Sequence, residues 1–458
     1  GSGKTTALRS LAIAASITPR SGPVNVYALD FAGGGLDMLK KLPNVGDVIV
    51  GDDDERIAKL ITMLGDIVEE RSVSYKAINA NHLTSYRELS GQKDEPRYLV
   101  LIDGIAAFAE TYQLTGRYAA IWSRFQQVLS DGREVGVHFA VSADRPQAIP
   151  NSIAASFQRK VVLRLTDEDA YLYFNLPRDV LSASSAPGRA MQVGNPNLLQ
   201  LPILGTNVTD FAQAREIESL AGTRYMRQRT RPAPIRSLPL DIPAREVDLT
   251  VDGRPVIGVE AGSLAPMPLR PAGTVAITGP AQSGRTNTVR WLARSVHRAF
   301  PNAVMLHASA RRSLVAREPL WTETAQGADK IASMLMKHAH LFEEEAPAGA
   351  PGVVLFVEGI GEFSFSACDQ QLQDAIASSK ANGHLVVAEA DVSGWSFGGS
   401  LASGVRSGRT GIVLCPSPGE GENAVGVAVP GVSGREAVPG RGYFVQSGKQ
   451  WKLQVPRV

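Results

Sequence analysis

Five short landmarks occur twice in this 458-residue chain, in the same order both times. The first set begins with Ser2-Gly3-Lys4-Thr5 and the apolar strand Val24-Asn25-Val26-Tyr27-Ala28-Leu29-Asp30, which runs into a small-residue turn. A strand at 98–103 closed by Asp103, then Gly136-Val137-His138, then Pro187-Gly188-Arg189 complete it. The second set is Ser283-Gly284-Arg285-Thr286, a strand at 303–307 followed by Ala308-Ser309-Ala310, a strand at 353–357 closed by Glu358, Gly383-His384-Leu385, and Pro439-Gly440-Arg441. Ordered repetition of this kind predicts a tandem duplication. The length agrees, since roughly 100–200 residues make one domain. The copies are placed at 1–224 and 245–458. Residues 225–244, rich in proline and arginine and without an apolar period, read as the linker.

Gly1-Ser2-Gly3-Lys4-Thr5-Thr6 reads as the back half of G-x-x-x-x-G-K-[ST], the phosphate loop. Leu8, Leu11 and Ala12 continue it as the apolar face of a helix. Small residues let successive backbone N–H groups close around phosphate oxygens, and the helix N-terminus adds its dipole. Gly1, Ser2, Gly3, Lys4, Thr5 and Thr6 are therefore the candidate cradle, with Lys4 as the point charge. ATP with Mg²⁺ is the expected cofactor, Thr5 and Asp103 standing on the metal side. The first glycine of the motif and the strand that feeds it are expected before residue 1, which makes the chain part of a larger protein.

Asp103 ends a buried apolar strand, the Walker B pattern. The next residue is Gly104, where many such ATPases carry an acid that orients the attacking water. A glycine cannot polarise water, so slow hydrolysis is expected at this site. The turn Phe31-Ala32-Gly33-Gly34-Gly35-Leu36 falls at the carboxyl end of a strand, the edge where ligands bind in parallel sheets.

The second copy carries its loop whole, with Gly279, Gln282, Ser283, Gly284, Arg285, Thr286 and Asn287 as candidate phosphate contacts and Thr286 and Glu358 on the metal side. Arginine presents a planar fork where a compact ammonium normally sits. Glutamate is one methylene longer than aspartate. Two altered positions predict binding without brisk turnover, with an empty structural domain as the alternative. His138 and His384, at matched places in apolar strands, read as core or strand-end residues.

Composition narrows the setting. The chain is 44% hydrophobic and 20% charged, with a formal net charge of +2. That is globular composition, and the whole-chain charge does not announce a nucleic-acid binder. Two cysteines exclude a disulfide framework. No apolar run reaches the roughly 18–20 residues of a membrane-spanning helix.

With Ile102-Asp103-Gly104, the glycine turn, Gly136-Val137-His138 and both Pro-Gly-Arg motifs in view, the copies resemble tandem FtsK/SpoIIIE-type P-loop ATPase domains. In particular they resemble the EccC-type ATPases of type VII (ESX-like) secretion systems. The resemblance implies an α/β fold of two tandem P-loop NTPase domains, RecA/FtsK-like, each a mostly parallel sheet flanked by helices. It implies an ATPase that is weak at the first site and weaker or inactive at the second. The implied partners are a secreted protein with a helical C-terminal signal, further ATPase domains of the same full-length protein, and neighbours in an oligomeric ring. It implies anchoring at the cytoplasmic side of the cell membrane through an N-terminal region. Ring ATPases take an arginine from a neighbour, and Arg159 and Arg164 are the candidates here. The rival reading is a double-stranded DNA translocase. In Ser142-Ala143-Asp144-Arg145-Pro146, Asp144 replaces the glutamine of DNA-translocating relatives, which weakens that reading.

Overall fold

The computed structural model describes residues 2–17, 22–114, 116–178, 181–182, 184–195, 197–227, 231–432 and 434–458. The chain divides into two compact units, Gly1–Arg236 and Ser237–Val458.

The first unit is built on β1 (Val24–Asp30), β2 (Val45–Val50), β3 (Arg97–Asp103) and β4 (Val137–Val141), in the parallel order β2-β1-β3-β4. Strands covered on both faces read as near-continuous apolar runs, as β3 does with Leu99-Val100-Leu101-Ile102. One face packs against the helix Asp54–Ala77, which presents Ile57, Leu60, Ile61, Leu64 and Val68 at helical spacing, and against Phe108, Trp122 and Phe125. Asp53 caps that helix by accepting from Arg56 N. The other face is covered by Leu8, Ala12 and Ile13 of the helix Lys4–Ile17. A separate antiparallel sheet follows, made of β5 (Val161–Leu163), β6 (Arg189–Gln192) and β7 (Leu198–Gln200).

The second unit holds a single 11-stranded sheet. Its strands are β8 (Thr250–Val251), β9 (Arg254–Glu260), β10 (Pro266–Pro268), β11 (Gly273–Thr278), β12 (Val304–Ser309), β13 (Glu323–Gln326), β14 (Val353–Glu358), β15 (Leu385–Glu389), β16 (Thr410–Leu414), β17 (Arg441–Gln446) and β18 (Lys449–Gln454). Parallel pairing joins β13-β12-β14-β15-β11-β16, and antiparallel strands extend the sheet beyond β16. The order β13-β12-β14-β15 repeats β2-β1-β3-β4 of the first unit. The expected α/β class, with mostly parallel sheets flanked by helices, is what both units show.

Between the units the chain is held locally. Tyr27 Oη donates to Ala233 O, and Ile235 N donates to Asp47 Oδ2, both within the first unit. Arg441 donates to Leu238 O and Pro239 O, and Arg457 pairs with Asp241, within the second. Ile235, Leu238 and Ile242 are thereby buried one at a time, without the periodicity a sequence pattern would reveal. Among the described residues, no helix is long and apolar enough to cross a membrane.

Candidate nucleotide sites

In the first unit the parallel register brings Asp30 beside Asp103, so both strands deliver a carboxylate to the same sheet edge. Asp30 folds the glycine turn around itself, accepting from Ala32 N, Gly34 N and Leu36 N at 3.0, 3.1 and 2.8 Å. The turn then lies against the phosphate-loop helix. A Cβ on Gly35 would stand 2.6 Å from Thr5 Cγ2, closer than packed atoms come. Arg9, nearly buried, fixes this contact by donating to Gly35 O at 2.7 Å while pairing with Asp210.

Thr5 Oγ1 donates to Asp103 Oδ2 at 2.6 Å across 98 residues of sequence. Ser142, at the end of β4, donates to the other carboxylate oxygen and accepts from Gly104 N. Asp103 is 1% exposed, so its charge is held by these hydroxyls rather than by water. A threonine hydroxyl touching a strand-end carboxylate at a helix N-terminus is the donor set that a Mg²⁺–phosphate group requires. The residues fit that group. Lys4 Nζ lies 3.0 Å from Asp144 Oδ1.

Gly3, at φ 107°, backs onto Gly188, and Gly188 N donates to Ser2 O. Thr6 follows in the first helical turn, and Gly1 lies outside the described residues. Arg164, just past β5, donates to Ser185 O at 3.1 Å. Arg159 is exposed ahead of the same strand, at its other end. Gly104 stands at φ 90°, and a Cβ there would meet Phe31 Cβ at 3.3 Å, so any side chain at position 104 is strained.

A cavity of about 1010 Å³ separates β4 from β5, lined by Leu8, Leu11, Phe139, Val141, Val161 and Leu163 among others. In the second unit β11 fills the matching place, bonded to β15 on one side and β16 on the other. Among the described residues, nothing pairs β4 with β5.

The second loop repeats the bracing of the first. Gly440 N donates to Ser283 O at 2.8 Å, as Gly188 N does to Ser2 O, and a Cβ on Gly284 would stand 2.8 Å from Gly440 N. The Pro-Gly-Arg landmark thus acts as the prop behind each phosphate loop. Gln282 adopts φ 64°, a left-handed conformation that favours glycine, at the position equivalent to Gly1. The Ser283 hydroxyl is buried without a hydrogen-bond partner among the described residues, as suits a loop shaped around an anion. Gly279 lies so close to Leu414 O that a Cβ would stand 2.7 Å from it.

Around this loop the charges are rearranged. Arg285 Nη1 pairs with Glu389 Oε1 at 2.6 Å, and Glu358 Oε1 is hydrogen-bonded to His307 Nε2 at 2.8 Å. Burial pushes the Glu389 carboxyl above the usual range, Arg285 opposing and Glu358 adding to the shift. Asp391 is held below its usual range, chiefly by Gly394 N. Thr286 and Glu358 line one cavity of about 650 Å³ with Arg285, Arg311, Arg312 and Glu389. Asn287 uses its side chain on the C-terminal segment, donating to Pro456 O and accepting from Val458 N. His384 is buried, with Nδ1 accepting from Val353 N and Nε2 on Glu344 O, a structural residue as expected. His138 departs from its echo and is exposed on β4.

Ser142, Asp144, Arg9, His307 and Glu389 are the residues that sequence reasoning did not place. Each reaches its site by strand register or by the second turn of a helix. Arg9 and Arg290, both five residues past the loop cation, were the legible pair. Arg290 pairs with Glu318 instead.

Two phosphate loops, each facing a strand-end carboxylate and propped by a Pro-Gly-Arg turn on sheets of one strand order, define a tandem P-loop α/β protein. Residues 1–192 match the FtsK/SpoIIIE family. The ESX secretion system protein YukB of Bacillus subtilis is 24% identical over 466 residues, covering 94% of this chain and 30% of that protein. The ESX-1 secretion system protein EccCb1 of Mycobacterium tuberculosis is 24% identical over 319 residues, covering 64% of this chain and 52% of its own length. The chain therefore spans only part of these relatives. The fold is that of EssC (ATPases 2 and 3) from Geobacillus thermodenitrificans, with a TM-score of 0.75 at 21% identity, covering 100% of this chain and 90% of that one. It is shared by Thermomonospora curvata EccC (ATPases 2 and 3) in complex with a signal sequence peptide, with a TM-score of 0.65 at 21% identity, covering 100% and 86%. The resemblance read from the motifs, to FtsK/SpoIIIE-type ATPases of the EccC kind, is what these comparisons return.

Proposed function

We propose that this chain is the ATP-binding, tandem-domain part of a type VII protein secretion motor. The hydrogen bond of Thr5 to Asp103 carries the reading, because it assembles the Mg²⁺ side of a phosphate loop from two distant segments. ATP with Mg²⁺, when bound, supplies a cleavable phosphoanhydride. Ser2 and Gly3 cradle its phosphates, Lys4 leaves Asp144 to neutralise them, and Thr5 and Asp103 orient the metal. No acidic residue follows Asp103, so turnover at the first site is slow; water-orienting bases are typically worth about 10²–10⁴-fold. Thr286 and Glu358 hold the metal side of the second site, where turnover is weaker still.

The second unit recognises a helical C-terminal signal of a secreted protein, a reading supported by the peptide bound to Thermomonospora curvata EccC. The motor works at the cytoplasmic side of the membrane in a ring with other ATPase domains, Arg164 or Arg159 reaching a neighbour's phosphates. The test is ATP turnover by the whole chain with helical C-terminal peptides of small secreted proteins, and separately with duplex DNA. Peptide binding that alters nucleotide affinity or turnover is expected. Stimulation by DNA alone, with a steep salt dependence, would replace this reading by the translocase.

A further inference from the structure

Both loop cations are paired with a carboxylate at or just past the end of the strand next to the Walker B strand, yet the two pairs differ in kind. Lys4 and Asp144 meet at 3.0 Å with side chains 35% and 81% exposed. Water and salt screen such a pair, and an incoming phosphate displaces Asp144 at little cost. Arg285 and Glu389 meet at 2.6 Å with side chains 23% and 12% exposed. Glu389 is also fixed from behind, because Gly359 N donates to its Oε2 at 3.2 Å and to its backbone oxygen at 2.9 Å. The register sets Glu358 directly across from Glu389, so a second carboxylate faces the same space.

We infer that Glu389 sets the nucleotide affinity of the second phosphate loop, by holding Arg285 as an internal counter-ion where phosphate would otherwise bind. A triphosphate entering the cavity must take the guanidinium from Glu389 and then sit beside the carboxylate it displaced. In a partly buried site neither effect is screened as it would be in water. Without the Glu389 charge, the planar fork of Arg285 is free to grip two phosphate oxygens, a geometry arginine serves well. The loop itself needs no repair, since Gly284 is propped by Gly440 as Gly3 is by Gly188. The inference rests on reading the second loop as a phosphate loop, and it is independent of whether the first loop binds ATP.

The test uses the whole chain with the first loop silenced by Lys4→Ala, titrated with a fluorescent ATP analogue and Mg²⁺. In that background Glu389→Gln keeps the side-chain shape and removes the charge. At least about a 10-fold gain in affinity is expected, since one unit charge beside a triphosphate is removed. Adding Arg285→Ala must abolish the gain. Glu362→Gln removes an equal charge from the same cavity at a residue paired with Arg311, and is expected to change affinity less than about 2-fold. Where Glu389→Gln fails to fold, Glu389→Ala is read in the same way. Unchanged affinity in the Glu389 variants, or an equal gain from Glu362→Gln, overturns the inference. A chain with Lys4 intact and Arg285→Ala, measured alongside, reports on the first loop, so the two readings fail separately.

Discussion

At the scale of single residues, the second unit depends on a carboxylate far from any phosphate. Glu318, buried, accepts from Arg290 at 2.8 Å and from Arg294 at 2.9 Å, two arginines one helical turn apart on the phosphate-loop helix Arg285–Ala299. The hydrogen bond from Arg294, aided by Arg290 and opposed by burial, holds the Glu318 carboxyl below its ordinary 4.5. A carboxyl whose folded value is depressed contributes stability that is present above the unfolded value and lost as pH falls through the folded one. Glu318→Gln is therefore expected to destabilise the protein by about 1.5–3 kcal/mol at neutral pH, the range for hydrogen bonds to charged groups. The deficit should shrink as pH falls through the ordinary carboxylate range and vanish once the native carboxyl, held lower, is protonated as well. Thermal melts of both proteins across that range check this; a constant deficit would mean that packing, not charge, is what Glu318 supplies.

At the scale of elements, the glycine turn after β1 and the helix Lys4–Ile17 form one device. Asp30 shapes the turn, Arg9 clamps it, and Gly35 lets it approach Thr5. Gly35→Ala should push the Thr5 side chain from the rotamer that reaches Asp103. About a 10-fold loss of Mg²⁺–ATP affinity is expected, equal to about 1.4 kcal/mol, with a change in melting below about 1 kcal/mol because the turn is at the surface. Isothermal titration beside a thermal melt separates the two, and full affinity in the variant would show that the turn does not position Thr5.

Much at this scale was legible. Apolar runs ending in Asp103 and Glu358, and glycines before a helix, announced the strands and loops because their chemistry is local. The neighbours across the sheet were not. Asp144 and Glu389 lie at different offsets from their histidines, and only the folded arrangement reveals that both meet a loop cation. The short strands β5–β7, β8 and β10 left no lasting alternation to read, since strands of two to four residues carry too few side chains to show a period.

At the scale of the whole molecule, duplication supplied one scaffold twice and left the two sites chemically unequal. The first keeps lysine, threonine and aspartate in place, its lysine in an exposed ion pair. The second carries arginine and glutamate at the cation and strand-end positions, each paired in a less exposed setting. The most direct measurement is equilibrium binding of ATP, with and without Mg²⁺, to the protein carrying Arg285→Ala, so that the first loop is read by itself. Micromolar binding that requires Mg²⁺, weakened at least about 10-fold by Lys4→Ala and by Asp103→Asn, is the predicted result. Binding that ignores Mg²⁺ and both substitutions would contradict the assignment of the first site.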